Sequence, residues 1–161
     1  MIISPEPYVP DFKKRDLRFW ARTLHFELRY WSINQLLNGL KLKNVLELSS
    51  GYSFRGLEKS TFENLHYIDT DLPEVISTKA KMVDSLKTDL QLKWKYESMA
   101  LNVLDRKQFK EVTDHFSEGE IVIVNEGLLM YLNREEKENL CKTIHDILKK
   151  RNGYWIVPTF T

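Results

Sequence analysis

The chain has 161 residues, 24 Lys and Arg against 23 Asp and Glu, a formal charge of +1 and 42% hydrophobic residues. That length suits one domain with a real core, and so balanced a charge supplies no field for nucleic acid or anionic lipid. The lone Cys141 excludes an intrachain disulfide, nothing reads as a signal peptide, and no stretch nears the about 20 apolar residues of a membrane span. The expectation is a cytoplasmic protein with no nucleic-acid or membrane partner.

In chain order, "MIISPEPYVPDFKK" holds three of the 5 prolines and reads as an extended arm. From Asp16 the spacing turns helical: Leu17, Trp20, Leu24, Leu28 and Trp31 form one stripe and Phe26, Tyr30, Ile33 and Leu37 a second, predicting a long helix with a wide apolar face that ends near Gly39. "NVLEL" (44–48) and "LHYIDTD" (65–71) read as strands. Pro73 suits a helix's first turn, and Val75, Lys79, Met82 and Leu86 carry that helix on.

A weaker strand falls near 96–101, followed by a helix marked by Phe109, Val112 and Phe116. "EIVIVNEG" (120–127) is apolar at four successive positions, as in a strand covered on both faces. Asn133 and Glu136 have capping-box spacing, Leu140, Ile144, Ile147 and Leu148 form a buried stripe, and Lys149, Lys150, Arg151 and Gly153 close the helix. "GYWIVPTF" (153–160) reads as a fifth strand. Alternation of this kind predicts an α/β fold, a parallel sheet with helices on both faces. Residues 1–40 form its arm and helix, and 41–161 a single α/β core.

Ligands of such sheets bind beyond the carboxyl ends of the strands. The residues there are Glu47, Ser49, Ser50 and Gly51; Asp69 and Asp71; Asn102, Val103 and Asp105; and Asn125, Glu126 and Gly127. An acid about 20 residues beyond a small-residue loop suits a ribose diol, and Asp71 stands so relative to Gly51, although an acid beside Pro73 also suits a helix start. Asp69 is either functional or a solvated strand end. The loop "SSGYS" (49–53) lacks the G-x-G-x-x-G fingerprint, so a nucleoside fits it better than a pyrophosphate. The four histidines have no metal-site spacing, and Cys141 reads as partly buried packing, so no metal site is expected.

Several segments together resemble the leucine carboxyl methyltransferase-like branch of class I S-adenosylmethionine-dependent methyltransferases. They are "FELRYWSINQLL", "VLELSSGYSFRG", "YIDTDLPEVISTKAKMV" and "NEGLLMYLNREEKENL". The resemblance implies a Rossmann-like three-layer sandwich with a mostly parallel sheet and an amino-terminal helical extension. It also implies S-adenosylmethionine as cofactor: Arg29 pairing with its methionine carboxylate, Ser49 and Gly51 lining the methionine part, and Glu47 orienting the loop or the amino group. Asp71 would hold the ribose, Asn102 and Val103 would meet the adenine, and Glu126 would face the amino acid part, with Tyr131 on the substrate side or in packing. Ser49 stands where that family commonly has glycine, and Ser53 where it often has an acid.

The implied reaction is O-methylation of a carboxylate on a small molecule or peptide. A carboxylate, with a pKa of about 4, needs no general base at neutral pH. In the family the sheet continues through two more strands. This chain, apparently truncated after its fifth strand, is therefore expected to be an amino-terminal fragment, or to have the open edge covered by a partner or second copy. The alternative function is a non-catalytic cofactor-binding or interaction module.

Overall fold

Five short runs of β-forming residues pair into one sheet, and the period-2 alternation along them sorts side chains into two layers. The computed structural model describes residue 13 and residues 15–40, 43–62, 64–87 and 90–158. The strands are β1 (Asn44–Leu48), β2 (His66–Asp71), β3 (Lys95–Ala100), β4 (Ile121–Asn125) and β5 (Tyr154–Ile156), and the helices α1 (Leu17–Leu40), α2 (Arg55–Lys59), α3 (Pro73–Lys87), α4 (Arg106–Thr113) and α5 (Arg134–Arg151). Strand order is β3-β2-β1-β4-β5 with every pairing parallel. The order reverses between β1 and β4, the place where open α/β sheets bind ligands.

Val45, Tyr67, Tyr96, Val122, Val124 and Ile156 pack with Ile33 and Leu37 of α1, Leu57 of α2 and Val83 of α3. The alternate positions Leu46, Leu48, Ile68, Ile121 and Ile123 pack with Phe109 and Val112 of α4 and Leu140 and Ile144 of α5. Both faces of β1 and β4 are therefore buried throughout, which is why β4 is a continuous apolar run from Ile121 to Val124, while β1 buries the charged Glu47 among its apolar residues. The predicted α/β fold with helices on both faces is the observed one.

Several local expectations change. The stripe Leu17, Trp20, Leu24, Leu28 and Trp31 is exposed, from 50% at Trp20 to 84% at Leu17, and α1 buries only Ile33 and Leu37 among its described residues. Helical spacing selects a face without saying how far along the helix the sheet reaches. On α3 the buried residues are Ile76, Lys79 and Val83, so of the predicted stripe of Val75, Lys79, Met82 and Leu86 only Lys79 lies on the covered face. β5 stops at Ile156, just short of Pro158, a residue that donates nothing to a ladder; positions 159–160 of the expected strand lie outside the described residues, as does nearly all of the amino-terminal arm.

Cys141 is exposed instead of partly buried. The capping box of Asn133 and Glu136 forms as predicted, but at the other end of α5 it is Asn152, at φ 55°, that takes the left-handed cap. Gly153 answers a different need, since a Cβ there would lie 2.0 Å from the carbonyl oxygen of Ile121.

Candidate active site

β1 ends in a turn that ordinary residues avoid: Ser49 and Gly51 both have left-handed backbones, at φ 50° and 51°. The turn carries Ser49 to the wall of a cavity of about 820 Å³ above the carboxyl ends of the strands. Its lining also includes Arg29, Asp71, Asn102, Val103, Glu126 and Tyr131. The volume lies within the roughly 300–1,000 Å³ usual for small-molecule sites. With Gly127, which also lines it, the fold brings together eight of the residues singled out from sequence, drawn from α1 and from the loops after four strands.

Asp71 ends β2, and its carboxylate accepts the N–H of Gly51 at 2.8 Å through Oδ2 and that of Leu72 at 2.8 Å through Oδ1. Gly51 is thus tied to Asp71 without itself lining the cavity. Two bonds leave about half of the carboxylate's lone-pair sites open. After β3, the Asn102 side chain accepts the N–H of Leu104 at 3.1 Å and shapes the loop. Asp105, another candidate from the strand ends, caps α4 by accepting from the N–H groups of Lys107 and Gln108.

The charged centre lies between α1 and the end of β4. Arg29 donates from Nε to Glu126 Oε1 at 2.6 Å, with both side chains less than a fifth exposed. The second Glu126 oxygen accepts from Arg55 Nη2 at 3.1 Å. Arg55 is fully buried, donates from Nη1 to Glu47 Oε1 at 2.5 Å and from Nε to Asn34 at 3.0 Å, and lies 4.1 Å from the Tyr30 ring centroid. Tyr67 donates its hydroxyl to the other Glu47 oxygen. Burial pushes the Glu47 carboxyl up and Arg55 beside it draws it partly back; burial works against the charge of Arg55, but Glu47, Tyr67 and Glu126 together hold that guanidinium charged.

Glu47 therefore does not contact the cavity. Its position in β1 shares the face of Val45, toward α2, so its side chain meets Arg55 instead of a ligand. Asp69 is likewise no solvated strand end: it is buried, with Lys79 Nζ 2.6 Å from Oδ2. Sequence reasoning passed over Phe26, Leu72, Leu101, Leu104, Leu128 and Met130, which also line the cavity. The one signal for them was adjacency to strand ends or, for Phe26, position one turn before Arg29. Among the described residues no group of three His, Cys, Asp or Glu side chains could hold a metal, and no helix is long and apolar enough to cross a membrane.

The set suits a zwitterionic amino acid joined to a nucleoside. Arg29 and Glu126 offer a cation and an anion side by side, Asp71 has acceptor sites to spare, and Leu101, Val103 and Leu104 supply an apolar wall next to Asn102.

Solved structures share this architecture. Magnesium protoporphyrin IX methyltransferase (ChlM) from Synechocystis PCC 6803, solved with bound SAH, superposes with a TM-score of 0.54 at 8% identity, over 88% of this chain and 57% of that one. The methyltransferase domain of bacterial CtHen1-CN gives 0.53 at 14% identity, over 72% and 57%. A structure concerned with conversion of a disulfide bond into a thioacetal group during echinomycin biosynthesis gives 0.50 at 17%, over 70% and 43%. The fold is that of class I methyltransferases, and the chain spans about half the length of these structures. Residues 9–145 match the family model for leucine carboxyl methyltransferase, and the chain belongs to that family. No curated protein matches the chain.

Proposed function

We propose that this protein is an S-adenosylmethionine-dependent O-methyltransferase acting on a carboxylate of a small molecule or peptide. The observation that carries the reading is the opposed pair Arg29 and Glu126 in one cavity with Asp71, because the cofactor's amino acid end bears both charges and its ribose a diol. Family membership and the shared fold support it.

Arg29 would meet the methionine carboxylate as a planar, permanently charged donor, and Glu126 the ammonium. Asp71 would accept from the ribose hydroxyls, Ser49 and the loop through Gly51 would border the methionine part, and Asn102 and Val103 the adenine. The bound cofactor supplies an electrophilic methyl group on a sulfonium. The protein's own part is to align that group with an acceptor oxygen on the Phe26, Met130 and Tyr131 side and to keep water out. Alignment of this kind contributes several kcal/mol, about 7–11 at its ideal limit. No side chain has to take a proton, because the acceptor is already ionised at neutral pH.

The test is incubation with methyl-labelled S-adenosylmethionine and a panel of carboxylic acids and peptides. Base-labile label on an acceptor, released as methanol, is expected. Label that resists base, or none on any acceptor while S-adenosylhomocysteine binds, would overturn the carboxylate assignment.

A further inference from the structure

Lys79 and Asp69 form a fully buried ion pair, neither member of which lines the cavity: Nζ lies 2.6 Å from Asp69 Oδ2, and both side chains are 0% exposed. Burying two charges costs several kcal/mol each, so such a pair contributes little net stability and asks for another explanation. The local polar groups do not spread the cost well. Tyr96 donates its hydroxyl to the same Asp69 oxygen at 2.6 Å, while Asp69 Oδ1 is buried with no hydrogen-bond partner. Asp69 is therefore arranged as a counter-ion that holds Lys79 in place, not as the centre of a satisfied network.

What Lys79 does with that placement is donate to Ser50 Oγ at 3.0 Å. Ser50 sits between the two left-handed residues Ser49 and Gly51 and is 7% exposed. Its N–H is bonded to Thr70 O at 2.9 Å, and its carbonyl accepts the N–H of Ser53 at 2.9 Å. With the hydroxyl also held, every polar group of Ser50 is engaged, and the turn that aims Ser49 into the cavity and the Gly51 N–H at Asp71 is fixed from beneath.

We infer that Lys79 is a positioning residue: anchored by Asp69, it acts through Ser50 to hold the loop on which ligand affinity depends. The inference rests on the cofactor reading for its effect on affinity, and on loop geometry alone for its effect on the loop. Lys79 shapes the site from the α3 side of the sheet and meets no ligand.

The experiment compares the wild type, Ser50→Ala, the double variant Asp69→Leu/Lys79→Met, and all three changes combined. Replacing both charges avoids a stranded ion and keeps the fold. Amide hydrogen exchange should quicken in residues 49–53 of each variant while β1, β2 and β4 keep wild-type protection. Affinity for S-adenosylhomocysteine should fall about tenfold in each, the worth of one charge-assisted hydrogen bond, and the combined variant should lose no more than either parent, because the pair acts through Ser50. Additive losses of affinity, or faster exchange spread across the sheet, would overturn the inference in favour of a merely structural pair; so would wild-type exchange in residues 49–53. If the wild type binds no S-adenosylhomocysteine the cofactor reading falls, and the exchange comparison still decides whether Lys79 holds the loop.

Discussion

Arg55 shows how much of the site depends on one side chain that meets no ligand. It joins Glu47 under the sheet's end to Glu126 at the cavity, so the acid facing the cavity is held by a buried cation. Removing one member of a buried pair leaves the other charge stranded, so Arg55→Met is expected to cost about 3–5 kcal/mol in denaturant unfolding, and a loss under 1 kcal/mol would contradict the network. Ser49, at φ 50°, carries backbone strain of about 1–2 kcal/mol that glycine would relieve, set against the greater chain entropy of glycine. Ser49→Gly should accordingly raise stability by up to about 1 kcal/mol; a clear loss would mean the hydroxyl holds the turn. That Arg29 and Glu126 share one cavity was legible because the quoted segments carried both. The burial of Arg55 was not, since nothing in "SGYSFRG" says that its arginine lies beneath α1 among Tyr30, Asn34 and Glu47.

At the scale of elements, local rules worked where a signal and its consequence lie within one turn. The α5 capping box is of this kind, and Asn133→Ala should cost about 1 kcal/mol in thermal or denaturant unfolding. They failed on α1, where the apolar stripe was plain and its burial was decided by the reach of a sheet built from residues far along the chain. On α3 the predicted stripe held Lys79 but missed Ile76 and Val83 beside it, because what fixes that face inward is the pairing of Lys79 with Asp69 on β2, which helical spacing does not show.

Strands β2 and β3 also predict a pH dependence. His66 contacts Glu97 at 2.5 Å and packs on Phe116, with Lys95 and His115 also beside that acid. Burial lowers the His66 pKa below its ordinary 6.5, outweighing Glu97. The unfolded chain then binds more protons just below pH 6.5, so this contribution to stability is present above that value and is lost as pH falls toward the folded pKa. Burial tends to raise Glu97, but hydrogen bonds from Lys95 and His66 bring it below 4.5, so its contribution is lost only at lower pH. Thermal midpoints should fall with acidification just below pH 6.5, and His66→Asn should flatten that segment; an unchanged slope would remove His66 from the account.

For the whole molecule, alternation of strands and helices was enough to predict a parallel sheet with two covered faces, because right-handed crossovers leave few other arrangements. The strand order, and with it the reversal between β1 and β4, came only from the structure. That reversal is what gathers α1, the β1 turn, Asp71 and Glu126 around one cavity. The central claim is that this cavity binds S-adenosylmethionine. Its most direct test is calorimetric titration of the purified chain with S-adenosylmethionine and S-adenosylhomocysteine, with NAD as control, repeated on Asp71→Ala. Saturable binding of the first two alone, lost or strongly weakened in a variant that still folds, is the predicted result. Absence of heat from either ligand, or undiminished affinity in Asp71→Ala, would contradict it.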